Sequence, residues 1–177
     1  MEQTAVRKDN AQAEQARVDF KMVTFTLAGK ANGQDLDFDL GRGERLQDGR
    51  RAVRAVVRTG LERGARMFSI REGYEGMVDG GQRIQPADWD SVGGILHQGG
   101  TVIGTARSQR FRDHEGRLQA VENLIRAGID SLVVVGGDGS LTGADALRRE
   151  WSSLVEELAS SGRLDRETAE HHPPLSI

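Results

Sequence analysis

Within residues 131–145, Ser-Leu-Val-Val-Val-Gly-Gly-Asp-Gly-Ser-Leu-Thr-Gly-Ala-Asp, three glycines, one carboxylate and one hydroxyl fall inside five consecutive positions. Gly136, Gly137 and Gly139 remove every Cβ from a turn, so backbone N–H groups can approach a ligand closely. Asp138 offers a hard oxygen of the kind magnesium takes, with the Ser140 hydroxyl beside it. The preceding Leu132–Val135 has the β-branched composition of a strand buried on both faces, and a helical pattern follows at once. Strand, glycine turn, acid and helix N-terminus together make a place for a polyphosphate and its metal ion.

A second loop, Gly104-Thr-Ala-Arg-Ser-Gln-Arg-Phe-Arg112, is rich in cations. If the strands that carry the two loops are neighbours, arginines face the Asp138 carboxylate across one crevice, which suits a nucleotide with its magnesium. A solvated charged loop is the competing reading of Arg107, Arg110 and Arg112. The four histidines, His97, His114, His171 and His172, show no metal-ligand spacing and read as solvent-exposed. Trp89 and Trp151 read as core or interface residues.

The elements that must position these loops follow from periodicity. Residues 1–19 read as a polar arm, and Met22–Leu27 as a strand by alternation. No element is assigned to Ala28–Gly49. Val53, Val56, Val57 and Leu61 fall at helical spacing, with Gly64 as the stop. Arg66–Ile70 reads as a strand that leads into a turn-rich Glu72–Gly81. Pro86 is expected to open a helix with Trp89, Val92 and Leu96 inward and Gly99-Gly100 as its end. Thr101–Ile103 reads as a short strand and Glu115–Ala127 as an amphipathic helix capped by Gly128. A long helix is expected from about Thr142 to Leu158, and then a polar tail. Strands separated by helices predict an α/β fold of three layers, a Rossmann-like parallel sheet with helices on both faces. Ligands of such a sheet gather at the carboxyl ends of its strands, where both loops lie.

Composition sets the bounds. The chain has 177 residues, 29% charged and 37% hydrophobic, which is the composition of a globular domain. Its net charge of −3 gives no general reason to expect nucleic acid as a partner. The absence of cysteine excludes disulfides and thiolate metal sites and is compatible with a cytoplasmic location. No apolar run approaches the length of a membrane span, and Met1–Arg17 lacks the apolar core of a signal peptide.

Several motifs then occur in a fixed order: Ala52-Val-Arg-Ala-Val-Val-Arg58, Glu72-Gly-Tyr-Glu-Gly-Met-Val78, Gly99-Gly-Thr-Val-Ile-Gly-Thr-Ala-Arg107, Phe111-Arg…Glu115-Gly-Arg117 and Val135-Gly-Gly-Asp-Gly-Ser-Leu-Thr-Gly-Ala144. Together they resemble the amino-terminal catalytic half of ATP-dependent 6-phosphofructokinases of the eukaryotic type, over roughly 50–164. The resemblance implies a phosphofructokinase-type sheet, incomplete here, and transfer of the ATP γ-phosphoryl group to the 1-hydroxyl of fructose 6-phosphate. It implies that Asp138 holds Mg²⁺, that Gly137, Gly139 and Ser140 cradle ATP, and that Gly143 lets the base approach. Arg107 would offset charge in the transition state, with Ser108 beside it and Phe111 and Arg112 near the adenosine; it leaves Arg110 open between ligand and loop charge. Arg54 and Arg58, four apart on one helix, match arginines of a regulatory phosphate site, against the plainer reading of an exposed helix face with partner carboxylates. A homo-oligomer, tetrameric in the full-length family, is implied as well.

Two departures from the family pattern stand out. The Gly-Gly-Asp-x-x-Gly-Met-Asn turn that precedes the Ala-Val-Arg helix in the family is replaced by Gly43-Glu-Arg-Leu-Gln-Asp-Gly-Arg50, where only Gly43 agrees and Glu44 brings an acid toward the phosphates. Residues 1–49 are therefore read as a divergent segment without assured order, 50–164 as the ATP-binding part, and 165–177 as a truncated tail. The chain ends at Leu175-Ser-Ile177 where the family's strand to the catalytic-base aspartate begins, so this polypeptide alone is expected to bind Mg-ATP weakly and turn over negligibly. A catalytically inactive regulatory or assembly subunit is the alternative. A different nucleotide-sugar or lipid kinase sharing the Gly-Gly-Asp-Gly turn is disfavoured by the extended Gly-Thr-Ala-Arg match.

Overall fold

A computed structural model describes residues 23–28, 49–97, 103–104 and 106–177. The strands are β1 (Val23–Ala28), β2 (Arg66–Ile70), β3 (Ile84–Ala87) and β4 (Ser131–Val135). The helices are α1 (Gly49–Glu62), α2 (Tyr74–Asp79), α3 (His114–Arg126), α4 (Asp138–Ser160) and α5 (Arg166–His171). Short 3-10 turns occupy Gly81–Arg83, Ile95–His97 and Arg110–Arg112.

Strand alternation sorts the core into two layers. Phe68 and Ile70 of β2, with Leu132 and Val134 of β4, face one way and pack on Met77 of α2, Leu118, Val121, Leu124 and Ile125 of α3, and Leu147, Trp151, Leu154 and Leu158 of α4. Met67, Val133 and Val135 face the other way and pack on Val53, Val56 and Val57 of α1, with Val92, Ile95 and Ile103. Helices therefore cover both faces, and each fully buried aliphatic side chain contributes about 1.5–3 kcal/mol. The α/β fold in three layers stands.

The sheet order is β3-β2-β1-β4, and here one expectation is corrected. The ladders between these strands are antiparallel: Phe25 of β1 pairs with Ser69 of β2 and with Val133 of β4, and Phe68 of β2 pairs with Pro86 of β3. β2 and β4 run the same way as one another, as expected, but β1 lies between them in the opposite direction. Alternation tells which face a residue takes and is silent on strand direction. A parallel contact does occur at the far edge, where Ser131 bridges Ser176. There the Leu132 N–H donates to the Ser176 carbonyl (2.8 Å) and the Ser176 N–H to that of Asp130 (3.0 Å). With Leu175 buried in the first layer, the tail is part of the fold rather than a polar appendage. β1 likewise gives part of residues 1–49 a place in the sheet.

Other element boundaries also moved. The helix expected from Pro86 is absent: Pro86 lies in edge strand β3, where its missing N–H costs no ladder bond toward a neighbour. Asp88 and Ser91 form a closed turn, and Gly94 at φ +67° prevents its continuation. Trp89 and Leu96 are exposed there, and Val92 points inward together with Ile95. Residues 101 and 102 of the strand expected at Thr101–Ile103 lie outside the described residues. α2 occupies a stretch read as turns. Its Gly76 is required because a Cβ there would lie 1.8 Å from the Arg71 carbonyl oxygen.

Candidate functional site

The glycine turn leaves β4 at its carboxyl end. Gly137 is the N-cap of α4, its carbonyl accepting from the Ser140 N–H (2.8 Å) and the Leu141 N–H (3.2 Å). The helix thus starts four residues earlier than expected, and Asp138, Gly139 and Ser140 form its first turn. Glycine and serine are poor helix formers, which hid this start in the sequence. A carboxylate in a first turn is stabilised by the helix dipole, and the free N–H groups there favour anions. A Cβ built at Gly137 or at Gly139 would meet nothing within 4 Å, so both glycines border open space.

The arginine-rich loop reaches the same edge of the sheet. β2 and β4 are aligned through Phe25, so their carboxyl ends lie on one side. At the end of β2 the Glu72 N–H donates to the Ile103 carbonyl (2.9 Å), which brings in the segment that leads to Arg107. Glu72 has φ 61°, a left-handed conformation that costs a non-glycine residue of order 1 kcal/mol. Its carboxylate pairs with Arg83 (3.2 Å). Strained backbone gathers at functional edges, and this residue carries no role in the sequence reading.

The expected site residues divide into three groups. Asp138 and Arg107 are exposed, and neither side chain has a partner among the described residues. Ser140 is half-buried in the first turn of α4, and Arg112 is exposed, its carbonyl accepting from Arg117 (2.6 Å). A second group is engaged in structure. The Ser108 hydroxyl accepts from the Phe111 N–H (3.0 Å), which caps the 3-10 turn. Phe111 is 5% exposed and belongs to the core. Arg110, left open above, reaches Glu75 and Asp79 at 2.8 Å each and ties the loop to α2. The space a Cβ would fill at Gly143 is taken by Tyr74, whose Cε2 lies 2.8 Å away, so this glycine has a packing reason of its own. Gly43 forms a third group by itself, since it lies outside the described residues.

Tyr74 is the residue the sequence reading passed over. It is the single tyrosine of the chain and lies inside the Glu72–Val78 motif. Its hydroxyl donates to the Ser140 carbonyl (2.5 Å), and its ring stacks on Phe111 with centroids 4.1 Å apart and planes at 14°. Burial pushes its phenol far above the usual range, so it remains a donor at neutral pH.

Arg54 and Arg58 lie on α1, away from this edge. Arg54 is half-buried, while the Arg58 guanidinium sits 4.9 Å above the Trp89 ring as a cation–π pair. Among the described residues no three His, Asp or Glu side chains gather as a metal cage, and no helix is long and apolar enough to cross a membrane.

The sequence profile of the family described as Phosphofructokinase matches residues 50–162. An ATP-dependent 6-phosphofructokinase of Yarrowia lipolytica is 56% identical over 126 residues, covering 71% of this chain and 13% of that protein. The human platelet-type enzyme is 53% identical over 150 residues, covering 85% of this chain and 18% of that protein. Among solved structures, the phosphofructokinase of Saccharomyces cerevisiae superposes with a TM-score of 0.70 at 55% identity, over 73% of this chain and 17% of that one. The Pichia pastoris enzyme in its T-state gives 0.64 at 47% identity, over 72% of this chain and 13% of that one. The chain thus spans less than a fifth of the length of these relatives.

Proposed function

The chain belongs to the phosphofructokinase family, and from that premise we propose that its carboxyl-edge crevice binds ATP with Mg²⁺ as the donor site for phosphorylation of fructose 6-phosphate. The observation that carries this reading is the turn Gly136–Ser140, Cβ-free toward open space at Gly137 and Gly139, with Asp138 and Arg107 both uncommitted at one sheet edge. Magnesium is held in nucleotide sites by one or two carboxylates plus phosphate oxygens and water, so a lone Asp138 without a protein cage fits it.

Phosphoryl transfer is largely positioning and charge neutralisation. The N–H groups of the first turn of α4 would hold the phosphate oxygens, with Ser140 beside them. Arg107 would offset the charge that gathers on the transferring group as the sugar 1-hydroxyl attacks the γ-phosphorus and ADP departs. Asp138 would hold Mg²⁺, which would supply positive charge to offset that of the nucleotide phosphates. Arg112 would lie toward the adenosine, with Phe111 supporting it from the core. The protein would work in glycolysis in the cytoplasm, as part of a homo-oligomer. Arg54 and Arg58 would receive an anionic effector at a separate place.

β1 favours a second reading of this polypeptide, nucleotide binding without turnover. Its amino end lies at the site edge and its carboxyl end at the opposite edge, so it delivers no glycine turn to the phosphates. Asp138→Ala decides the main reading. In titrations with ATP, the parent chain is expected to bind more tightly with Mg²⁺ than without, and Asp138→Ala to lose that increment while melting like the parent. Equal Mg²⁺ dependence in both proteins would remove Asp138 from the role assigned to it.

A further inference from the structure

Three contacts converge on Tyr74, which is 6% exposed. Its hydroxyl holds the Ser140 carbonyl in the first turn of α4. Its ring fills the space beside Gly143, about one turn further along the same helix. The same ring stacks on Phe111 in the arginine-rich loop. The ion pairs of Glu75 and Asp79 also tie α2 to Arg110, but they run to Arg110 and Arg83 and not to α4.

We propose that Tyr74 is a positioning residue that couples the glycine turn to the arginine-rich loop, holding Asp138 and Arg107 at the separation a bound nucleotide polyphosphate requires. The inference rests on the nucleotide reading above and adds to it the residue that sets the geometry. An aromatic side chain suits this task because it presents a large rigid surface with a polar tip at little entropic cost. A hydrogen bond to the main chain of one element and a stack on another make the two turns move together. Arg117 also joins the Phe111 and Arg112 carbonyls to Glu150, but farther along α4. Loss of the hydroxyl therefore frees the first turn of α4 to shift relative to Phe111, and Arg107 lies four residues before Phe111 on the same loop.

Tyr74→Phe in the 177-residue chain keeps the ring, the stack and the filled space and removes only the donor. Without nucleotide, amide exchange at Ser140, Leu141 and Phe111–Asp113 is expected to accelerate about three- to tenfold, the scale of one lost hydrogen bond. Amides Val121–Ile125 in α3 serve as the unchanged reference. Acceleration confined to α4, or none at all, overturns the coupling. Mg-ATP affinity, measured well below the melting transition, is expected to fall by a similar factor of about three to ten. A parent that binds Mg-ATP and a variant that binds it equally well overturns the inference. A parent that binds no nucleotide overturns the function proposed above, and the exchange pattern then still decides whether Tyr74 joins the two turns. Tyr74→Leu, which removes the stack too, is expected to accelerate the arginine-rich loop further. If the two variants differ from the parent in melting temperature alone, Tyr74 is packing and the proposal fails.

Discussion

Gly143→Ala and Gly139→Ala make the same chemical change four residues apart on one helix, with opposite expected outcomes. At position 143 the new Cβ would lie 2.8 Å from Cε2, 3.1 Å from Cζ and 3.2 Å from the hydroxyl oxygen of Tyr74. The ring has little room to retreat, because Phe111 is stacked on it and Ser140 holds its hydroxyl. Overpacking of this kind costs about 1–3 kcal/mol, and the better helix propensity of alanine returns about 0.8–1 kcal/mol. The net loss is up to about 2 kcal/mol, which for a domain of this size lowers Tm by up to about 8 °C. At position 139 the Cβ would meet nothing within 4 Å, and the backbone is not in the left-handed region. There stability is expected to stay level or rise by up to about 1 kcal/mol, while Mg-ATP affinity falls because the methyl group enters the proposed phosphate space. Thermal unfolding followed by far-ultraviolet circular dichroism, with nucleotide titration on the same preparations, reads both effects. A Gly143→Ala protein that melts above the parent would refute the packing argument. An unchanged affinity in Gly139→Ala would refute the placement of the phosphates.

The Asp165 carboxylate caps α5, accepting from the Thr168 hydroxyl and the Thr168 N–H at 2.7 Å each, and these bonds hold its pKa below the usual carboxylate value. A folded value below the unfolded one means its contribution is complete above about pH 4 and is lost as pH falls through the folded value. Asp165→Asn, which can cap without titrating, is expected to flatten that part of the acid dependence of Tm; identical slopes in parent and variant would remove Asp165 from the account. Under the regulatory reading, titration with inorganic pyrophosphate is expected to draw Arg58 off Trp89 and change tryptophan emission, since Trp89 is 47% exposed and Trp151 is buried. The change should vanish in the Arg54→Ala, Arg58→Ala double variant, with Mg-ATP affinity retained; an emission insensitive to the anion counts against an effector site on α1.

Legibility followed the range of the physical signal. α1, β2 and α3 were readable because their stripes and stop signals are local: Val53, Val56 and Val57 repeat at helical spacing, and Gly64 and Gly128 adopt φ +79° and +69° at the ends. Segment 86–97 looks helical in the sequence because Trp89, Val92 and Leu96 mimic a helical stripe, but Gly93-Gly94 breaks it, Gly94 adopting φ +67°. α2 was missed because Gly73 and Gly80 bracket it and Gly76 interrupts it, each of which reads as a turn. Of the proposed site, Asp138, Gly137 and Gly139 stand out in the sequence by residue type and spacing, while Arg107 stands out only through the family resemblance, since alone it reads as loop charge. Arg110, Ser108 and Phe111 look in the sequence like further ligands, yet their partners are Glu75 and Asp79, a main-chain N–H, and Tyr74.

By itself the sequence determined the local chemistry: a strand that ends in a Cβ-free turn with one carboxylate, a cationic loop, and helices enough to cover a sheet on both faces. It also carried the family, because several motifs keep their order and spacing over residues 50–162. The tertiary structure alone decided the direction of β1, since alternation is the same read from either end. It decided as well which polar groups are spent on one another and which stay open to a ligand. That outcome depends on contacts between residues far apart in the chain, such as the 66 positions that separate Tyr74 from Ser140, and no local pattern encodes them.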